Sequence, residues 1–372
     1  MEAASVFEFE NHFQFRAGLF TLSPMNTRAL AFFGLMVFVG LSCKSKDDTG
    51  ESSTATKQSK ETNTQTLQVY SGRGEKLIGE VFKGFEEKHG VKLKIKYGDT
   101  ATLAALLLEE GPKSSVDLFV AQDTSTLSYL DEKALFDVMP DALLEKVPKG
   151  MRSPLRTWVG LSGRARVLAY KDGLNEEDLP KSVDELTGKK WQGKVGWAPA
   201  NASFQGFVAA MIALRGKEET KAWLLAMKAN NPKEYPKNTP AVMAISRGEI
   251  EVALVNHYYL HRLKAEHGDD FPVKNHYFRS GKSGALVNLS GVAVMKTAKD
   301  KELAQSLVTY LLSAEGQKKV VERNHEFPVT IGATALKELP SLESLKAPVI
   351  DPVALNRLEE TVKLLKETGV LI

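Results

Sequence analysis

Twice along this chain, runs with the two-residue period of a strand alternate with runs of helical period, and that alternation restricts the fold more than any other feature. The first series begins at Leu67. Residues 67–70 read as a strand, and residues 75–89 as a helix with Leu77, Ile78, Val81, Phe82 and Phe85 on one face. Residues 91–97 alternate as a strand, residues 100–110 form a second helix stopped by Gly111-Pro112, and residues 117–121 form a buried strand before a helix over 125–132. Such a series implies a parallel sheet with right-handed crossovers. The second series has strands at 166–171, 195–199 and 251–256, with helices over 204–214, 218–230, 240–247 and 258–267. A long strand at 285–295, helices over 301–312 and 315–324, and a C-terminal helix over 352–367 complete the body. Two α/β blocks in one chain predict two lobes with a cleft at the carboxyl ends of the parallel strands, where α/β proteins hold ligands.

The chain ahead of Leu67 reads differently. Residues 29–42 are an apolar run too short to span a membrane comfortably, and Met25-Asn26-Thr27-Arg28 supplies a short positive leader. Residues 1–43 are therefore expected to be an export leader whose true start is Met25. The run ends in small residues followed by Cys43, the one cysteine in 372 residues. This resembles a bacterial lipoprotein signal, with Gly40 at the position usually held by leucine, and implies acylation of Cys43. Residues 44–66 lack any large apolar side chain and read as a flexible tether. A lone thiol excludes a disulfide framework and a multi-cysteine zinc site. With 49 basic and 46 acidic residues the charge gives no footprint for nucleic acid.

Enzyme motifs are approached and missed. Gly72-Arg73-Gly74 lacks the third glycine of a dinucleotide fingerprint, since Leu77 stands there. Gly281-Lys282-Ser283 has His276 where a P-loop needs its leading glycine, and Gly160-Leu161-Ser162-Gly163 is followed by Arg164 where a nucleophile elbow closes on glycine. His257 and His261 lie one helical turn apart as in a zinc protease, yet no glutamate follows His257. No acid–base pair emerges, so the chain is expected not to be an enzyme.

One constellation survives. Val255-Asn256-His257-Tyr258-Tyr259-Leu260-His261 ends a strand and begins a helix. Neighbours on a helix point about 100° apart, which would bury one ring and expose the other. At a strand end both phenols can lean into a cleft instead, and the residues alone leave both arrangements open.

The stretch resembles the ferric-ion-binding periplasmic proteins of bacterial ABC importers, whose signature is Asn-x-Tyr-Tyr at such a strand end. The likeness runs from about residue 67 to 372. It includes Val69-Tyr70-Ser71-Gly72, Asp117-Leu118-Phe119-Val120-Ala121-Gln122, Leu161-Ser162-Gly163-Arg164-Ala165-Arg166-Val167, Gly196-Trp197-Ala198-Pro199-Ala200-Asn201-Ala202-Ser203-Phe204, Lys237-Asn238 and Ser290-Gly291-Val292-Ala293-Val294. The resemblance implies a type II periplasmic-binding-protein fold: two lobes, of residues 67–164 plus 289–335 and 165–288 plus 336–372, joined by two hinge strands near Ala165 and Leu289.

It implies Tyr258 and Tyr259 as ferric ligands, and Asn201, Ala202, Ser203, Asn238 and Asn256, with Arg164 nearby, as holders of a synergistic anion such as carbonate or phosphate. Phenolate suits a hard trivalent ion, and a tyrosine with pKa about 10 binds by giving up its proton. From the first lobe the resemblance implies Gln122, Asp123 and Arg73 as possible contacts. Family members place histidine where this chain has Gly74 and glutamate where it has Gln122, and no tyrosine falls within residues 200–204. Exogenous anions or a chelate such as citrate are then expected to complete the sphere. The implied partners are a membrane permease with its ATPase, and the implied place is the cell envelope, with the protein a lipid-anchored monomer. A binding protein of the same architecture for a polyamine, thiamine or a small anion is the nearest alternative, and a surface adhesin a more distant one.

Overall fold

In the computed structural model of the chain, residues 65–279 and 281–371 are described. The leader, Met25, Cys43 and residues 44–64 of the tether lie outside the described residues. Among the described residues no helix is long and apolar enough to cross a membrane.

The first series comprises β1 (Thr66–Ser71), α1 (Glu75–His89), β2 (Lys92–Tyr97), α2 (Thr100–Glu110), β3 (Leu118–Ala121), α3 (Thr124–Glu132) and the single turn α4 (Asp141–Leu144). A long strand, β4 (Trp158–Lys171), leads into the second: β5 (Val195–Trp197), α5 (Ala202–Arg215), α6 (Lys217–Ala229), β6 (Lys233–Glu234), α7 (Asn238–Ser246), β7 (Val252–Asn256), α8 (Tyr258–His267) and β8 (Val273–His276). The chain returns through β9 (Val287–Val294), α9 (Lys301–Leu311), α10 (Ala314–Asn324), β10 (Phe327–Pro328) and α11 (Leu358–Glu367).

Ile78, Val81, Phe82 and Phe85 recur at helical spacing in α1 and are all buried, which fixes the face it turns to the sheet. The helix stops at Gly90, whose φ of +66° suits a residue without Cβ and whose N–H caps the Glu86 carbonyl at 2.9 Å. Around β1–β3 two apolar cores form, one holding Phe82, Phe85, Val120 and Leu307, the other Leu103, Phe119, Phe136 and Trp158. Around β5 and β7 two more form, one on Trp197, Phe204, Phe207 and Trp223, the other on Val242, Ile245, Val255 and Leu263.

The strand order is β2-β1-β3-β9-β4-β7-β5-β6. The expected parallel pairing holds at both flanks, for β1 with β2 and β3 and for β5 with β6 and β7. It fails in the middle, where β9 runs antiparallel to β3 and β4, and β4 antiparallel to β7. Parallel order follows from helical crossovers between successive strands, and β4 and β9 are not joined by one. β4 also extends well ahead of the expected 166–171. Its first half, with Gly160, Ser162, Gly163 and Arg164, has poor strand propensity, but pairing with β9 from Trp158 to Ala165 overrides this. From Arg166 onward the same strand pairs with β7 instead. The expected helix over 352–367 is broken into a short turn, Pro352–Leu355, capped by Asp351, and α11.

Arg73, expected to face the cleft, is instead 0% exposed and reaches Glu326 at 3.1 Å. The Ser162 hydroxyl also donates to that carboxylate and lies 2.7 Å from the Ser290 hydroxyl. Burial alone would raise the Glu326 pKa. Arg73, Arg164 and Ser162 overcome it and hold the carboxyl below its ordinary range. Truncating the cation would strand a buried carboxylate, so Arg73→Met is expected to cost about 3–5 kcal/mol of stability. Urea unfolding at neutral pH measures it; a loss below about 1 kcal/mol would contradict this account.

Candidate functional site

The junction of β7 and α8 is set by what surrounds it. All five residues of β7 are buried between β4 and β5, so the strand end is rigid. His257, fully buried, follows at once. Its Nδ1 accepts from the Ala165 N–H at 3.1 Å, and its Nε2 lies 2.6 Å from the His325 carbonyl. That pair of contacts fixes the neutral tautomer with the proton on Nε2. Burial, helped by the neighbouring His261, pulls the His257 pKa down to about 3. The Asn275 amide donates to the His257 carbonyl at 2.8 Å. The histidine before the two tyrosines is thus a fastening.

Tyr258 and Tyr259 stand side by side, ring centroids 4.5 Å apart and tilted by 32°. Tyr258 is 7% exposed and Tyr259 half-buried, yet the company of Tyr258 is polar. Tyr259 and Asn256 stand beside its phenol, and the Arg262 guanidinium lies 4.5 Å from its ring centre. Burial and then the Tyr259 neighbour push the Tyr258 pKa above its ordinary value, while Arg164 and Asn256 pull it back. The same pair is felt by Arg166. Burial brings its pKa down to about 9, against the opposing pull of Tyr259 and Tyr258. Two phenol oxygens therefore share one space with two buried guanidiniums.

Opposite them lies the turn between β5 and α5. Asn201 is the N-cap of α5, its Oδ1 accepting from the Ser203 N–H at 3.0 Å and the Ser203 hydroxyl at 2.7 Å. The buried Asn238 amide, at the start of α7, donates to Asn201 Oδ1 at 3.2 Å and to Ser203 Oγ at 3.0 Å. Arg166 Nη1 reaches Ser203 Oγ at 3.4 Å. Asn201, Ser203, Asn238 and Arg166 thus form one network, with Ala202 as the first residue of α5. Asn256, 6% exposed, closes β7 beside the phenols.

From the first series, Gln122 follows the end of β3. Its N–H donates to Thr100 Oγ1 at 3.2 Å, and its carbonyl accepts from Arg164. Gly72 is required next to that threonine, since a Cβ there would lie 2.0 Å from Thr100 Oγ1. Asp123 is drawn away by the helix it begins: its Oδ1 caps α3, accepting from the Thr126 N–H at 2.9 Å and the Ser125 hydroxyl at 2.6 Å. Gly74 has open space where a side chain would go.

Sequence reasoning passed over Arg166 and Arg262. The first was legible, because residues two apart on a strand share a face and Arg164 had already been singled out. Arg262 is one helical turn from Tyr258, which spacing also exposes. Nε of Arg164, Nε of Arg166, Oε1 of Gln122 and Oδ1 of Asn238 are buried without hydrogen-bond partners. Buried polar atoms are rarely left so; others occur elsewhere, as at Arg73 and Arg215, and it is the setting beside paired phenols that makes these four candidates to meet a ligand. Two cavities, of about 500 and 560 Å³, lie beside β8 and beside α8 and His325; the phenols line neither.

Comparison with known proteins gives a consistent result. Residues 80–347 match the family of bacterial extracellular solute-binding proteins. The major ferric iron-binding protein of Neisseria meningitidis serogroup B is 31% identical over 82% of this chain and 92% of its own. The Fe(3+)-binding periplasmic protein of Serratia marcescens is 30% identical over 82% and 91%. The iron-bound HitA structure from Pseudomonas aeruginosa superposes with a TM-score of 0.74 at 34% identity, covering 82% of this chain and 99% of that one. A Trichodesmium structure (IdiA, FutA) in complex with iron and citrate ligands gives 0.72 at 26% identity, covering 82% and 99%.

The buried imidazole at the junction makes stability depend on pH. Its folded pKa of about 3 lies below the ordinary 6.5, so the unfolded chain takes up a proton that the folded one refuses. Stability is therefore full above that ordinary value and falls as the pH drops through the window, by at most about 1.4 kcal/mol per pH unit for one imidazole. Urea unfolding of iron-free protein between pH 7.5 and 5 tests this. A flat profile would contradict it.

Proposed function

The chain belongs to the bacterial extracellular solute-binding proteins, in the ferric-ion-binding group with the type II periplasmic-binding fold, and from that premise we propose that it captures Fe(III) through the phenolates of Tyr258 and Tyr259 for delivery to an ABC importer. The function is one of binding and transport, not catalysis. The observation that carries the reading is the pairing of two tyrosine rings, centroids 4.5 Å apart, within the electrostatic reach of Arg164 and Arg166.

Fe(III) is a hard cation that favours anionic oxygen, and two phenolates leave it with residual positive charge and open positions. A synergistic anion, carbonate or phosphate, fills them. It is held by Asn201, Ala202 and Ser203 at the start of α5, where backbone N–H groups favour negative charge. Asn238, Asn256, Arg164 and Arg166 complete its cradle. The guanidiniums also offset the charge of the phenolates, which burial otherwise disfavours. With Gly74 and Gln122 in place of further ligands, more of the sphere falls to exogenous oxygen, and a ferric chelate such as citrate suits the site as well. Clustered arginines speak against the alternative of a polyamine or thiamine, both cations.

In this reading residues 67–164 plus 289–335 form one lobe and residues 165–288 plus 336–372 the other. Closure turns about β4 at Ala165 and β9 near Leu289, and Gln122 comes over the ligand. The closed form is what the permease and its ATPase engage, and a monomer suffices for that. Acylation at Cys43 keeps the protein at the membrane surface of the cell envelope.

Loading iron-free protein with ferric salt and bicarbonate is expected to give a visible tyrosinate-to-iron charge-transfer band. Tyr258→Phe/Tyr259→Phe removes it; a wild type without the band, or a double variant that keeps it, defeats the assignment. Because a phenol binds ferric ion by giving up its proton, ligation by both releases up to two protons. Affinity then falls by up to about 100-fold for each unit the pH drops. Competition with a chelator across pH 6–8, corrected for the chelator's own protonation, measures that slope, and a pH-independent affinity would rule out phenolate ligation.

A further inference from the structure

His261, on α8 one turn after Tyr258, takes no part in the site above. Its ring lies parallel to that of His325, with centroids 5.1 Å apart and planes 9° from parallel. Glu338, from the segment ahead of α11, brings Oε1 to 3.4 Å from His325 Nδ1. One donor atom from each of the three lies within 4.8 Å of the others. His261 Nε2 and His325 Nδ1 are both buried without a hydrogen-bond partner. Two orphaned imidazole nitrogens converging with a carboxylate are an expensive arrangement unless something satisfies them.

We propose that His261, His325 and Glu338 form a second metal site, distinct from the ferric site, that takes one divalent transition ion of borderline softness, zinc foremost. Two imidazoles and one carboxylate are a zinc ligand set, with the fourth position left to water. In a tetrahedral sphere with bonds of about 2.0–2.1 Å, the donors sit about 3.4 Å apart. To close to that from 4.8 Å, the stacked rings must rotate out of parallel so that both nitrogens aim at one point, and Glu338, whose side chain is 44% exposed, must turn inward. The cavity of about 560 Å³ beside them gives access, and its other charges nearly balance: Lys264 and Lys274 against Asp269 and Glu176. Lys274 is already paired with Asp172 at 2.7 Å.

The ion would tie together three stretches distant in sequence: α8, the residue after α10, and the segment carrying Glu338. His325 sits at the C-cap of α10 with φ +52°, and its carbonyl receives the His257 Nε2 proton. A metal on its ring therefore braces, from behind, the helix that presents the two tyrosines.

The test uses tag-free, iron-free protein with Tyr258→Phe/Tyr259→Phe, so that zinc cannot be reporting on the phenols. Titration calorimetry with Zn²⁺ is expected to give one equivalent at micromolar affinity or tighter. Co²⁺ should give the visible absorption of a four-coordinate site. Glu338→Gln, exposed and so not expected to disturb folding, and His261→Gln should each weaken zinc at least about tenfold. Less than one equivalent of zinc, or variants that bind it like the parent, would overturn the proposal whatever the iron experiments give.

Discussion

A single strand, β4, decides how the rest of this protein is arranged. It runs 14 residues, 13 of them buried, and changes partners between Ala165 and Arg166. Before that point it pairs with β9, and beyond it with β7. The first stretch contributes Ser162 and Arg164 to the groups around Glu326 and Gln122. The second brings Arg166 beneath the phenols and the α5 turn. Because successive side chains on a strand alternate, Arg164 and Arg166 share a face while Ala165 offers its backbone to His257. The partner switch and the charge of the site are two results of one extended segment.

Charge at the site is arranged as an unfinished balance. Burial disfavours ionised phenol and protonated guanidinium alike, and each is partly relieved by the other. Several polar atoms there remain unpaired. Around Glu326 and His257 buried polar groups pair with one another, although Arg73 keeps Nε and Nη1 without partners. Tyr258 is as buried as many core residues, yet its neighbours are polar and charged.

Most elements were legible from periodicity. The α1 pattern and the Gly111-Pro112 stop gave helix limits close to those observed, and α8 begins at Tyr258 as read. What escaped was set by distant contacts. The first half of β4 is rich in glycine and polar residues and becomes a strand only because β9 lies against it. The antiparallel centre follows from chain return across 82 residues or more, which no local window contains. At the site, Asn201, Ser203 and Asn238 form one connected network. Arg73 and Asp123 were misjudged for a common reason. Each has a nearer structural demand, a buried carboxylate for one and a helix terminus for the other, and sequence position does not reveal which demand prevails.

The bridge from Arg164 to residue 122 ends on a carbonyl and not on a side chain. A contact with main chain is indifferent to the group that hangs from it. Glutamate, glutamine or another residue could occupy position 122 while the link between β4 and the residue after β3 stays the same. That side chain can therefore be exchanged without rebuilding the connection between the two strands.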